Sequence, residues 1–175
     1  MSLRDRTGDG PNYKNIFSRI MDTTGVGSGT KNANGNYASA AEEFKIDCPE
    51  GQLMEVARML VQIRDTGAMA AEEYGAIAEL TNGVTLKIFD GSDSVVDLTD
   101  GVPITTNAGW GRLCYDVDVK TWSTGDEVLL ARLTFSKFGQ PICLRPGHSL
   151  RVTLNDDLTG LGEHYFTVQG AYLPV

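Results

Sequence analysis

The chain has few of the residues from which catalytic and metal sites are usually assembled. Its 175 residues include two histidines, His148 and His164, and three cysteines, Cys48, Cys114 and Cys143. The cysteines are odd in number, far apart and form no C-x-x-C pair, which excludes a zinc knuckle or a dithiol redox motif. Each lies beside or within an apolar stretch, so reduced, buried thiols are expected. Two separated histidines cannot supply the clustered histidine ligands of a metal-dependent β-sandwich enzyme. One sits at a turn (RPGHSL) and the other at a strand start (GEHYF), where solvation or simple hydrogen bonding is expected. No G-x-S-x-G elbow supports a nucleophilic serine. The expectation is a protein that is not an enzyme and carries no cofactor.

Long apolar runs are also missing. None approaches the roughly 18–20 residues that a membrane helix needs. The opening MSLRDRTGDGPNYKN has no apolar core of a secretory signal, so synthesis in a cytoplasm and no membrane association are expected. Basic charge is scarce too. The chain carries a formal net charge of −8 from 15 Lys/Arg and 23 Asp/Glu. The basic residues are concentrated early: Arg4, Arg6, Lys14, Arg19 and Lys31 outnumber Asp5, Asp9 and Asp22 in the first forty residues. The acidic remainder shows no basic stripe interleaved with aromatics, which argues against nucleic-acid binding. A basic arm on an acidic body instead suits an acidic protein neighbour or another copy of the chain.

The early segment TTGVGSGTKN resembles a phosphate-binding loop only superficially. The motif needs G-x-x-x-x-G-K-[ST] between a buried strand and a helix. Here Thr30 takes the place of the second glycine and Asn32 that of the metal-binding hydroxyl, so a nucleotide site is excluded. From Thr23 to Ala41 the composition is mainly Gly, Asn, Ser, Thr and Ala, which reads as a flexible linker. Ahead of it, Tyr13, Ile16, Phe17, Ile20 and Met21 follow i, i+3, i+4, i+7, i+8 spacing, which predicts a short amphipathic helix over 11–22. At about three turns it needs a docking surface, either on its own domain or on a neighbouring chain. Residues 1–41 are therefore expected to form an N-terminal arm and 42–175 a domain.

After Glu42 the hydrophobic period becomes two. Phe44, Ile46 and Cys48 alternate with polar residues, as do Val84, Leu86 and Ile88. Leu113, Tyr115, Val117 and Val119 form another such set, followed by Leu129, Ala131, Leu133 and Phe135, and by Leu150, Val152 and Leu154. Residues 53–63 fit either period and are assigned to a strand, whereas the Ala/Glu-rich 68–80 predicts a short helix in a connection. Asn82-Gly83 has the residues of a type I′ hairpin turn. Seven or eight strands without β-α-β alternation predict an all-β, antiparallel sandwich. Roughly 135 residues after the arm favour a single jelly roll over an immunoglobulin-like domain.

Two features offer binding chemistry. Asp90, Asp93, Asp97 and Asp100 crowd one stretch, and Asp156, Asp157 and Glu163 another, a composition that calcium also uses. EF-hand spacing is absent, so turn and Asx-cap roles are expected ahead of a calcium site. Trp110 and Trp122 would stack sugars if exposed, and are expected instead to plug the core.

The segments LTNGVTLKIFDG, DGVPITTNAGWGRLCYDVDVKTWSTGDEVLLARLTFSKFG and LRVTLNDDLTGLGEHYFTVQGAYL resemble β-sandwich virion proteins of tailed bacteriophages, of the capsid decoration or cement type. The resemblance covers roughly residues 42–175. It implies a non-enzymatic subunit on the capsid surface, assembled in the host cytoplasm, forming a homotrimer and contacting the major capsid protein lattice. Within that picture the apolar face Tyr13, Ile16, Phe17, Ile20 and Met21 would carry the arm's contacts. Arg4, Arg6, Lys14 and Arg19 would steer it. The alternatives are a tail-associated or head–tail joining protein, or a carbohydrate-binding module.

Overall fold

Two antiparallel sheets face each other across the core. The computed structural model describes residues 15–114, 116–135 and 140–174. The larger sheet is organised around β3 (Gln52–Thr66), fifteen residues in which Met54 and Val56, and then Met59, Val61 and Ile63, are buried, the alternation changing phase at Ala57 where the register against its neighbour shifts. Both periods were legible in this stretch, and the strand assignment holds. One edge of β3 pairs along its length with β10 (Glu163–Pro174). Its other edge is shared in series by β8 (Ile142–Leu144), against Met54 to Val56, and β7 (Asp126–Thr134), against Arg58 to Thr66. Outside β7 lies β6 (Val117–Ser123), and outside β10 lies β1 (Ile16–Ile20). The smaller sheet runs β2 (Glu42–Asp47), β9 (His148–Leu154), β4 (Thr85–Asp90) and β5 (Asp93–Asp97).

The expected helix over 11–22 is a strand where the structure describes it. Ile16 to Ile20 pair antiparallel with Ala171 to Thr167 of β10. Helical spacing arises because both faces of this edge strand carry apolar residues: Phe17 and Met21 point into the core, Ile16 and Ile20 outward. Tyr13 and Lys14 lie outside the described residues, as do Arg4 and Arg6.

The glycine-rich segment is not a free linker either. Its order comes from one carboxylate. Asp22, almost fully buried, accepts hydrogen bonds from the backbone N–H groups of Thr24, Gly25 and Gly29 at 3.1, 2.6 and 2.8 Å. Burial alone would raise its pKa, but these bonds and the Thr24 hydroxyl outweigh it and hold the carboxyl below its usual range. Thr23 N–H closes the neck of the loop on Thr30 O, 3.1 Å away. Gly25 is needed here, with φ +81° and a position where a Cβ would strike the Asp47 carboxylate. The chain then returns to the sandwich: Ala33 is buried, its N–H donates to His164 O at 2.8 Å, and Tyr37 N–H donates to Asp156 O at 2.9 Å. Residues 15–41 thus belong to the same core as the rest.

Three local expectations also change. Residues 68–80 contain turns and no helix, with Tyr74 buried as a plug. A 3-10 turn, Ala108–Trp110, and the one-turn helix α1 (Gly111–Cys114) take Leu113 out of the strand expected there. Asn82-Gly83 is not a type I′ turn, because only Gly83 has positive φ. Asp156 gathers this corner instead, accepting from the N–H groups of Thr81, Asn82 and Gly83 at 2.9, 3.1 and 2.8 Å.

Candidate interaction edges

Four strands lack a backbone partner on the outer side among the described residues: β1, β5 and β6 at sheet ends, and the short β8, which pairs with β3 alone. The fourth sheet end, β2, is covered, because Asp22 and Lys45 exchange both backbone bonds and Asp47 N–H reaches Gly25 O. Open edges are ready-made pairing templates unless charge or twist blunts them. The exposed large apolar side chains gather on them and on the loops beside them: Ile16 and Ile20 on β1, Val95 and Val96 on β5, Val119 and Trp122 on β6.

The tryptophans therefore divide. Trp110 is buried in the core beneath the helical turn, as expected. Trp122 is 67% exposed, which overturns its expected core role. Alternation along β6 was legible, but which face has a second layer over it is a tertiary property, and β6 lies beyond the smaller sheet's cover: every residue after Val117 is exposed. Cys143 is likewise exposed on β8, contrary to the expected burial, while Cys48 is buried and donates toward Leu144 O at 3.4 Å.

The predicted arm residues are brought together only in part. Phe17 stacks against Tyr172, Met21 is buried, and Arg19 Nη1 donates to the Tyr172 hydroxyl at 3.4 Å. Among the described arm residues, Ile16 and Ile20 are the exposed apolar ones.

The acidic stretch separates into two ends of one hairpin. Asp90 and Asp93 oppose each other at the β4–β5 turn, with Asp90 Oδ2 3.7 Å from His148 Nε2. Asp97 lies at the far end, accepting from Thr99 N–H and hydroxyl at 2.9 and 2.6 Å and pairing with Lys87 at 3.3 Å. Burial would raise its pKa, but the Thr99 bonds and the Lys87 ammonium lower it overall. Asp100 takes a positive φ of 52° in the following turn. Asp157 caps Thr159, and Glu163 pairs with Arg64 across β10 and β3. No group of three or more His, Cys, Asp or Glu side chains placed to hold a metal ion occurs among the described residues.

His164 lies at the start of β10 and is hydrogen-bonded, as expected, but within the core rather than in solvent. It is fully buried, with Nε2 3.1 Å from the Tyr74 hydroxyl and the Phe166 ring 4.5 Å away. Its Nδ1 finds no hydrogen-bond partner among the described residues. Burial lowers its pKa to about 3, so the ring is neutral at pH 7. The same burial pushes the Tyr74 phenol well above its ordinary value.

Two shallow depressions lie among the described residues. One, about 340 Å³, runs along Ile77 to Thr81 beside Asp156 and Gly160. The other, about 200 Å³, lies on the outer face of the larger sheet between Arg58, Arg132, Thr134 and Gln169. In the first, Asp156 is occupied by three backbone donors. In the second, Arg132 Nη1 is held at 3.1 and 3.0 Å by Asp116 and Asp118. Comparison of the chain with protein-family models, with curated proteins and with solved structures finds no match.

Proposed function

We propose that the chain is a non-enzymatic structural subunit of a bacteriophage virion, of the capsid decoration or cement type, acting through its sheet edges. The observation that carries this reading is the gathering of exposed apolar side chains on uncovered strands, since such surface on a folded domain marks contact with a partner.

The strand order supports it. A ribbon doubled into one long hairpin pairs its first strand with its last, its second with its second last, and so inward. Here β1 pairs β10, β2 pairs β9, β3 pairs β7 and β8 in series, and β4 pairs β5. Rolling that ribbon would bring β10 beside β3 and β9 beside β4, the two contacts that remain apart from that of β6 with β7. We read this as a single jelly roll with β6 added at one edge, the architecture common in viral capsid domains. On this reading β1 is the first strand of the roll, and the capsid contacts pass from an arm to the edges. The homotrimer and the major capsid lattice as partner belong to the same proposal.

The test uses shells of the virus whose genome encodes this chain, prepared without it. Added protein is expected to sediment with the shells and raise the temperature at which they rupture. Recovery with tails alone would move the assignment to a tail or joining protein, and absence from particles would overturn it. Trp122 favours one second reading, a carbohydrate-binding module. A shift of its emission on adding host cell-surface glycans, abolished by Trp122→Phe, would support that reading.

A further inference from the structure

The open edge of β6 is complementary in charge to itself, and we propose that it pairs antiparallel with β6 of a second copy about a two-fold axis through Val119. This stands whether or not the virion reading does.

The backbone restricts the possible registers. Arg132 N–H donates to Asp116 O at 2.9 Å, so residue 116 turns its backbone groups toward β7. Residues alternate along an antiparallel ladder, and β6 keeps regular register with β7 from Val117 to Thr121. Asp118 and Lys120 therefore spend their N–H and C=O groups on β7, while Val117, Val119 and Thr121 direct theirs to the open side. A second β6 can bond only through those three. A dyad at Asp118 or Lys120 sets like charges directly opposite, and one at Val117 sets Asp116 against Asp118. With the dyad at Val119, Val119 bonds its own counterpart and Val117 bonds Thr121 of the second copy. Asp118 then faces Lys120, twice by symmetry. Directly opposed side chains share a face, so both charged pairs form on the same side of the joined sheet. Val119, 43% exposed, meets its counterpart on the other side.

The other acidic edge behaves oppositely. Self-pairing of β5 about its centre, Val95, would set Asp93 against Asp97 and repel. An isologous contact satisfies both copies at once and closes at two. In a trimer it would link neighbouring trimers, not the protomers within one.

Charge exchange tests it on the full-length protein. Mass is measured by light scattering over a range of concentrations for wild type, Asp118→Lys, Lys120→Asp and an equimolar mixture of the two variants. Wild type is expected to associate in pairs. Each single variant sets like charges opposite at both contacts and is expected to weaken pairing on the order of tenfold. The mixture sets Lys against Asp at both and is expected to restore pairing as a heterodimer. Val119→Pro removes an N–H that β7 does not use, and should abolish pairing with the circular dichroism spectrum unchanged. A wild-type protein that stays monomeric, or association indifferent to both charge variants, would overturn the proposal.

Discussion

The ring of Phe17 lies 4.7 Å from that of Tyr172, tilted by 38°, and joins the edge strand β1 to β10. Phe17→Ala is expected to cost about 3 kcal/mol in denaturant unfolding, in the range for truncating a buried aromatic. Ile16→Ala, half exposed on the same strand, should cost less than about 1 kcal/mol. Equal, small effects would mean that β1 contributes little to the fold.

Gly170 sits where β10 shifts register against β3, between Gln169 and Gly170. A Cβ there would drive into the carbonyl oxygen of Glu55, which belongs to the backbone and cannot swing aside. Gly170→Ala should therefore lower stability by several kcal/mol and the melting temperature by roughly ten degrees. Gly51→Ala is the comparison. Its Cβ meets nothing, and only its φ of +72° opposes the change, so about 1 kcal/mol is expected.

Asp156 joins the turn after β9 to the entry of β4. Replacing it with alanine leaves the N–H groups of Thr81, Asn82 and Gly83 without their acceptor, at an expected cost of about 2–4 kcal/mol. Asn should recover only part of this, since one of its two positions is a donor facing donors. Chemical denaturation of the three proteins checks the order.

His164 makes stability depend on pH in a definable window. The unfolded chain takes up a proton near pH 6.5, and the folded one only near 3. Between those values the unfolded state binds more protons, so this contribution is fully present above pH 6.5 and declines as pH falls. The expected slope approaches about 1.4 kcal/mol per pH unit. The lowered carboxyls of Asp22 and Asp97 act below about pH 4, so unfolding measured from roughly pH 6.5 to 4.5 isolates the histidine. His164→Phe should flatten that interval; an unchanged slope would place its source elsewhere.

Much of the β-rich fold was legible because burial leaves a period-two trace. Phe44 and Ile46 in β2, Leu86 in β4, and Leu150, Val152 and Leu154 in β9 alternate as expected and are buried as expected. What failed has physical reasons. In β1, apolar residues on both faces make spacings of three and four, and only the partner strand decides between strand and helix. In TTGVGSGT, order comes from N–H groups converging on Asp22, which composition does not display. The candidate surface was hardest to see, because exposure of Trp122 depends on where the opposing layer stops.

The place of β10 in the larger sheet has a consequence for synthesis. It lies between β1 and β3, yet nearly a hundred residues separate it from β3 in the chain. While the ribosome is still translating the residues before Glu163, β1 and β3 have no strand to join them, and their apolar faces wait for the strand that follows β9. Folding should therefore complete in one late, cooperative step rather than grow from the amino end. A nascent chain stalled before Glu163 should be digested readily by protease along its whole length, whereas the released protein resists.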